Sequence, residues 1–172
     1  MLFLRKNMAI DRHHTVAFTG HRTYTGEARE ALCAEIRRLA QEGYTTFLSG
    51  MAEGFDLAAA EAVVALRSEG LKVQLVAVIP FATQSSSFTE ENRARFRRIL
   101  AEADEVILLA SSYHRGCYQQ RNDFLVDHAS ALVAWYDGSR GGTQYTFLRA
   151  MKRGLALHNL SSAILPDPRL FE

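Results

Sequence analysis

Short hydrophobic runs alternate with longer amphipathic segments along almost the whole chain. Each hydrophobic run has the length and composition of a β-strand, and the amphipathic segments repeat their apolar residues at helical spacing. The predicted strands cover residues 15–19, 44–48, 73–79, 106–110, 131–136 and 162–165. The predicted helices cover residues 26–42, 55–67, 90–103, 119–128 and 142–157, and the polar stretch 84–88 is predicted to be a loop.

Most of these runs are apolar throughout and do not alternate with polar residues, which is typical of strands covered on both faces. Helices between such strands supply the right-handed crossovers that parallel pairing requires. The pattern therefore predicts an α/β fold of three layers, a Rossmann-like doubly wound sheet that is mainly parallel. We expect a single domain over residues 14–172, preceded by a flexible N-terminal lead-in at residues 1–13.

Composition narrows the class of protein. The 172 residues are 48% hydrophobic and carry a formal net charge of +1, without the basic excess of nucleic-acid-binding domains, so the composition argues against a nucleic-acid partner but leaves room for a local basic face. No apolar run reaches the ~20 residues that span a bilayer, and the N-terminus lacks the apolar core of a signal peptide. Cys33 and Cys117 have no metal-ligand spacing, so we expect reduced thiols, no metal site and a cytoplasmic location. Doubly wound domains often self-associate, and a homodimer is compatible with this chain.

The candidate chemistry follows the strands, because ligands of open parallel sheets bind beyond the carboxyl ends of the strands. After the first strand, Gly20 allows a tight turn and places His21 and Arg22 near the sheet edge. The guanidinium of Arg22 suits bidentate binding of a phosphate. The alternative is an ordinary solvated loop with a glycine turn.

After the second strand come two glycines, four residues apart, at the start of a helix. Free backbone N–H groups at such a position bind anions. The carboxylates of Glu53 and Asp56 would repel a phosphate, so they fit better as helix caps or as partners of ribose hydroxyls. The glycine spacing differs from the dinucleotide fingerprint G-x-G-x-x-G. The ligand-binding residues predicted from this segment are Ser49, Gly50, Met51, Ala52, Gly54 and Asp56.

Two further loops complete the predicted site. After the fifth strand, paired glycines and Thr143 at a helix start form a second anion seat, with Thr143 as a simple N-cap as the alternative. After the fourth strand, Tyr113 or Tyr118 could stack on a base, and Arg121 or Asn122 could contact phosphate or sugar. The alternative there is a helix start with Arg121 on a solvated face. The ligand-binding residues predicted from these loops are Arg121, Asn122, Asp137, Gly141, Gly142 and Thr143.

At these residues the chain resembles the SLOG superfamily, which joins DNA-processing proteins of the DprA/Smf type with the LOG phosphoribohydrolases. Within the superfamily it is most similar to the YpsA-type family, from about residue 15 to residue 165. The resemblance implies a Rossmann-like fold that binds a nucleotide or a nucleotide-derived ligand. The segments that carry it are Thr19-Gly20-His21-Arg22, residues 49–56, Tyr118-Gln119-Gln120-Arg121-Asn122, Asp137-Gly138 and Gly141-Gly142-Thr143.

One departure from the LOG pattern bears on activity. LOG enzymes carry P-G-G-x-G-T-x-x-E, whose glutamate participates in N-glycosidic cleavage. Gly142 and Thr143 match the G-T step, but Thr146 stands where that glutamate would be. The resemblance therefore implies ligand binding more directly than it implies this cleavage.

Three functions are compatible with these residues. The first is a sensor or regulatory protein that binds a nucleotide, NAD, ADP-ribose or a nucleoside phosphate; no other cofactor is expected. The second is an N-glycosidic hydrolase in which Glu53 activates water and His21 carries a proton. The third is a single-stranded DNA-binding protein that uses the arginine-rich helix at 90–103. Acidic residues beside those arginines favour a solvated helix face with local ion pairs.

Overall fold

The computed structural model of the protein describes residues 9–165, which form a parallel sheet of six strands with five α-helices. The strands are β1 (Thr15–Gly20), β2 (Thr46–Ser49), β3 (Gln74–Ile79), β4 (Glu105–Leu108), β5 (Ala131–Trp135) and β6 (Ala156–Asn159). The helices are α1 (Arg29–Gln41), α2 (Phe55–Ser68), α3 (Glu90–Glu102), α4 (Cys117–Asp127) and α5 (Gly142–Lys152).

The strand order in the sheet is β4-β3-β2-β1-β5-β6, and every described pair is parallel. Strands β1 to β4 follow one another toward one edge of the sheet. The chain then returns to the centre, and β5 pairs with the other side of β1. The winding therefore reverses between β1 and β5, where Gly20 is in register with Trp135. In doubly wound sheets this reversal opens a crevice at the carboxyl ends of the two strands.

Hydrophobic side chains fill both faces of the sheet. On the side of α1, α2 and α3, the rings of Phe18 and Phe47 stack at 5.7 Å and Phe55 packs edge-on against Phe18 at 6.3 Å. On the side of α4 and α5, Tyr136 and Phe147 approach to 4.9 Å. Because both faces are covered, the central strands need apolar residues at consecutive positions, as the sequence pattern indicated. The predicted Rossmann-like α/β fold is confirmed.

The end of the fold differs from the prediction. The last strand among the described residues is β6, Ala156–Asn159, and the predicted strand at 162–165 was wrong. The predicted helix at 142–157 ends earlier because Gly154 adopts a φ of +76°, which breaks the helix, and Leu155 then turns into the core. The chain after Gly154 pairs in parallel with β5 from Ala131 to Ala134, so it is a strand and not the last turn of a helix.

Other differences are small. Residues 1–8 of the predicted lead-in lie outside the described residues, and Arg12–His14 forms a short 3-10 helix capped by the Asp11 carboxylate. The predicted loop at 84–88 contains a 3-10 turn at Gln84–Ser87. None of the helices in the described region is long and apolar enough to span a membrane.

Candidate functional site

A cavity of about 380 Å³ opens at the carboxyl edge of the sheet, where the winding reverses. It is bounded by the loop after β1, the start of α2, the first turns of α4 and the start of α5. Segments that are distant in sequence meet here because the parallel strands all end at one edge. The residues that line the cavity are Thr19, Gly20, His21, Arg22, Ala52, Asp56, Tyr118, Arg121, Asn122, Gly142 and Thr143.

Three of the helices that begin at this edge have a glycine at the N-cap. These are Gly54 for α2, Gly116 for α4 and Gly141 for α5, and in none of the three does a side chain cap the first turn. At α2 and α4 the amide of the first helical residue donates to a backbone carbonyl oxygen of a nearby loop, so free N–H groups at the positive end of a helix dipole are best presented at α5. At α5 the first two residues, Gly142 and Thr143, line the cavity directly. The edge is therefore electrostatically suited to an anion.

Arg121 is the most constrained charge at the site. Its side chain is 5% exposed, although it stands on the cavity wall. Nη1 donates to the carbonyl oxygen of Gly50 at 2.5 Å, and Nε donates to Oδ1 of Asn122 at 2.9 Å. Within residues 9–165 no acceptor contacts Nη2 and no carboxylate forms an ion pair with the guanidinium. Burial lowers the pKa of Arg121, and the nearby charge of Asp56 opposes that shift.

Asp56 supplies a buried carboxyl group in the same cavity. Burial raises its pKa to about 6, and the positive charge of Arg121 counteracts part of this effect. Oδ2 accepts a long hydrogen bond of 3.4 Å from the amide of Ala52, and Oδ1 has no hydrogen-bond partner among the described residues. Near neutral pH this carboxyl group is therefore close to its titration point, unlike an exposed aspartate.

His21 joins the loops that follow β1 and β5. Its Nε2 lies 2.8 Å from Oδ1 of Asp137 and 3.1 Å from the amide nitrogen of the same residue. When Nε2 carries a proton it donates to the carboxylate, and when it does not it accepts from the amide. Hydrogen bonds from the hydroxyl and amide of Ser139 hold the pKa of Asp137 below its usual value. The contact fixes one wall of the cavity at the reversal point.

Close backbone packing explains two of the glycines. Gly54 has a φ of +86°, and a Cβ added there would lie 2.5 Å from the carbonyl oxygen of His21 and 2.6 Å from Cα of Arg22. A Cβ added at Gly20 would meet the ring of Phe55 at 2.4 Å. The amide of Phe55 also donates to the carbonyl oxygen of His21 at 3.2 Å. The loop after β1 therefore lies directly on the start of α2.

The turn after β2 lies beneath the cavity. Ser49 accepts a hydrogen bond from the amide of Met51 at 3.2 Å and donates to the carbonyl oxygen of Asp56 at 2.9 Å. Met51 is fully buried with a φ of 60°, which is uncommon for a residue with a side chain. The predicted ligand residues Ser49, Gly50 and Met51 thus shape and support the wall but do not line the cavity.

The predicted catalytic residue Glu53 does not line the cavity either. Its Oε2 accepts a hydrogen bond from Nδ2 of Asn92 in α3 at 2.5 Å. Gly54, Asp137 and Gly141 flank the cavity without lining it. Thr19 does line it and was not predicted, because the sequence places it within a strand. It is the penultimate residue of β1, and that position at the edge was the available signal.

A second and larger cavity, of about 630 Å³, lies between α1, α2 and α3. Arg22 lines both cavities. Nowhere in the described part of the chain do three or more histidine, cysteine or acidic side chains form a group that could hold a metal ion. Cys33 and Cys117 are both free thiols, as expected.

This arrangement coincides with a family match that covers nearly all of the described chain. The model of the YspA SLOG family (YpsA) matches residues 16–165. The chain belongs to the YspA SLOG family. The reversal point, every residue lining the sheet-edge cavity and all strand residues except Thr15 fall within the matched residues. The resemblance recognised in the sequence is therefore confirmed.

Curated bacterial relatives of this SLOG chain include a UPF0398 protein of Halalkalibacterium halodurans. It is 31% identical over 127 residues, which are 73% of this chain and 67% of the relative. The SPbeta prophage-derived protein YoqJ of Bacillus subtilis is 29% identical over 129 residues, which are 67% of this chain and 75% of that protein. Neither name states a ligand or a reaction.

Solved structures give the same fold at low sequence identity. DNA processing protein A of Helicobacter pylori, described with a single-stranded DNA-binding mode, aligns with a TM-score of 0.61 and 18% identity over 83% of this chain. The molybdenum cofactor carrier protein of Chlamydomonas reinhardtii aligns with a TM-score of 0.51 and 18% identity, covering 83% of this chain and 74% of the carrier. This chain spans 63% of the Helicobacter protein. At these identities the likeness shows the fold alone.

Proposed function

We propose that this SLOG protein binds a nucleotide or a nucleotide-derived ligand in the sheet-edge cavity, with a phosphate group placed against Arg121 and the first turn of α5, as a sensor or regulatory protein. The observation that carries the proposal is the buried guanidinium of Arg121, which forms no direct ion pair among residues 9–165 and is compensated only by the nearby charge of Asp56. A buried charge without a direct ion pair is costly, and a bound anion would offset that cost.

Further features support a phosphate over a generic anion. Arg22 lines the cavity and forms no ion pair within the described chain, so its guanidinium is available for bidentate contacts. The amides of Gly142 and Thr143 start an uncapped helix of 11 residues, an arrangement that binds phosphates in other doubly wound proteins. A cavity of about 380 Å³ is in the size range of small-molecule sites.

The carboxyl group of Asp56 suits the sugar of such a ligand. A carboxylate close to a phosphate would repel it, whereas a carboxylate facing ribose hydroxyls accepts their hydrogen bonds. With a pKa of about 6, Asp56 is also partly protonated at mildly acidic pH, which reduces its repulsion of an anion. The position of Glu53, bonded to Asn92 and outside the lining, makes Asp56 the nearer carboxyl group to any bound sugar.

A ligand panel with two charge-matched variants tests the proposal. The wild-type protein would be titrated with NAD, ADP-ribose and common nucleoside phosphates in a calorimeter and by thermal shift. At saturating ligand the melting temperature is expected to rise, because a ligand that binds only the folded state stabilises it. Arg22→Met is expected to weaken binding about tenfold, since a hydrogen bond to a charged group contributes roughly 1.5–3 kcal/mol.

Arg97→Met is the matched control. Arg97 is exposed on α3 and lines neither cavity, so its loss changes the net charge equally without touching the site. The ligand affinity of Arg97→Met should equal that of the wild-type protein. If no compound in the panel shifts the melting temperature, or if both variants weaken binding equally, the proposed site is wrong.

A further inference from the structure

Beyond the rim of the sheet-edge cavity, three aromatic side chains form a connected cluster. Tyr118 lines the cavity and packs against Phe81 with ring centroids 5.6 Å apart at 79°. Tyr113 packs on the same Phe81 ring at 5.5 Å and 81°, and its centroid lies 6.4 Å from that of Tyr118. We call Phe81, Tyr113 and Tyr118 the aromatic shelf.

The rings of the aromatic shelf differ strongly in solvent exposure. Phe81 is 7% exposed and anchors the cluster in the protein, whereas Tyr113 is 63% exposed. Within residues 9–165 only Tyr113 and Ile164 are large hydrophobic side chains with such exposure. One edge-to-face contact with Phe81 and one tilted contact with Tyr118 restrain the exposed ring of Tyr113, so its free face is available to a planar group of a ligand.

The shelf also adjoins the proposed phosphate site. Tyr118 stands one turn before Arg121 on α4, and the Arg121 guanidinium carbon lies 5.8 Å from the centre of the Tyr118 ring. Tyr118 therefore contacts both the buried guanidinium of Arg121 and the exposed ring of Tyr113. A phosphate at Arg121 and a planar group on Tyr113 would lie at opposite ends of one ligand.

We propose that Tyr113 stacks on the base of a bound nucleoside phosphate whose phosphate and sugar occupy the cavity. This inference rests on the proposed function and narrows its ligand to compounds with an aromatic base. An aromatic ring offers a face to any base, so the shelf provides affinity for nucleosides over sugar phosphates without selecting one base. The polar cavity, in contrast, would bind the sugar and phosphate, which all nucleotides share.

The test compares ligands that carry a base with a sugar phosphate that has none. The nucleoside 5′-monophosphates and ribose 5-phosphate would each be titrated by calorimetry into wild-type protein, Tyr113→Leu and Tyr113→Phe. Leucine keeps apolar bulk at an exposed position and removes the ring, while phenylalanine keeps the ring and removes the hydroxyl. Tyr113→Leu is expected to weaken binding of the tightest nucleotide about tenfold, in line with the loss of one base–aromatic stack.

The matched measurements decide the outcome. Ribose 5-phosphate should bind Tyr113→Leu and wild type equally, and Tyr113→Phe should retain wild-type affinity for the nucleotide. Unchanged nucleotide affinity in Tyr113→Leu, or an equal loss for both probes, would overturn the role of Tyr113 and leave the cavity proposal standing. If neither probe nor any nucleotide binds wild type, the proposed function itself fails. Tighter binding of a single-stranded oligonucleotide than of the mononucleotide would overturn the choice of a free nucleoside phosphate.

Discussion

Nη1 of Arg121 donates a hydrogen bond to the backbone carbonyl oxygen of Gly50 at 2.5 Å. This contact ties α4, on one face of the sheet, to the turn that follows β2. Nε2 of Gln84 donates to the same carbonyl oxygen at 3.1 Å. The bond holds the guanidinium in one orientation, so the shape of a turn 71 residues away determines where the charge of Arg121 is presented.

Replacing Gly50 with alanine should therefore weaken ligand binding while leaving the fold intact. An added Cβ would lie 2.7 Å from Nη1 of Arg121, so the guanidinium must move. The φ of Gly50 is not positive, so alanine is not strained by the backbone. We expect about tenfold weaker binding of a nucleoside phosphate, the scale of one charged hydrogen bond.

A double-mutant cycle by calorimetry checks the mechanism. Once Arg121→Lys has removed the fixed guanidinium, adding Gly50→Ala should cost little more, because both changes disrupt the same contact. Additive losses in affinity would show that Gly50 acts independently of Arg121.

Gly54→Ala is expected to destabilise the protein strongly. The residue has a φ of +86°, and its new Cβ would overlap backbone atoms of the loop after β1, which cannot simply rotate away. A backbone with φ +86° and ψ −124° lies in a region that residues with a side chain avoid, at a cost of roughly 1–3 kcal/mol. The overlap should add to that cost and displace His21 and Arg22.

Gly26→Ala provides the matched control in urea unfolding. Gly26 has a φ of +109°, but no atom lies within 4 Å of its added Cβ, so only the backbone strain applies. The loss in free energy of unfolding should be clearly larger for Gly54→Ala. Equal losses would mean that the loop does not lie on the start of α2.

Asp56 should make stability depend on pH in the opposite sense to a salt-bridged aspartate. Its pKa of about 6 in the folded protein lies above the ordinary aspartate value of 3.8, so between these two pH values the folded protein retains a proton that the unfolded chain has lost. The stability contributed by Asp56 is therefore full below about pH 4 and is lost as the pH rises through about 6.

The variant Asp56→Asn removes this titration and keeps an oxygen acceptor for Ala52. Its free energy of unfolding relative to wild type should rise by about 2–3 kcal/mol between about pH 4 and about pH 7. Urea unfolding at both pH values measures the change. A pH-independent difference between variant and wild type would contradict the raised pKa.

The sequence pattern predicted the parts of the fold that are buried on both sides. β1, β3 and β5 have long apolar runs because helices cover both faces, and such runs are distinct from helical spacing. β6 lies at the edge of the sheet, where Ala156 is exposed and His158 is half-buried, so its residues resemble the tail of a helix. Only pairing with β5, which the sequence does not display, makes this segment a strand.

The sequence predicted the turns that form the candidate site but not which of its charged residues are buried. Glycines after strands mark where the backbone bends, which placed Gly20, Gly142 and Thr143 near one another. The burial of Arg121 was not predictable, because a polar residue in a helix of this pattern normally faces solvent. The position of Asp56 is similar: the tertiary burial that removes its carboxyl group from water is not visible in the sequence.

In the proposed complex, a phosphate of the ligand contacts the start of α5 and Arg121. Amide and arginine side-chain NMR shifts of isotope-labelled protein, recorded during titration with a nucleoside monophosphate, test it most directly. We expect the largest shifts at the amides of Gly142 and Thr143 and at the Nε–H of Arg121, and we expect Arg22→Met to reduce them at a given ligand concentration. Shifts confined to α3, or absent from the first turn of α5 at saturating ligand, would contradict it.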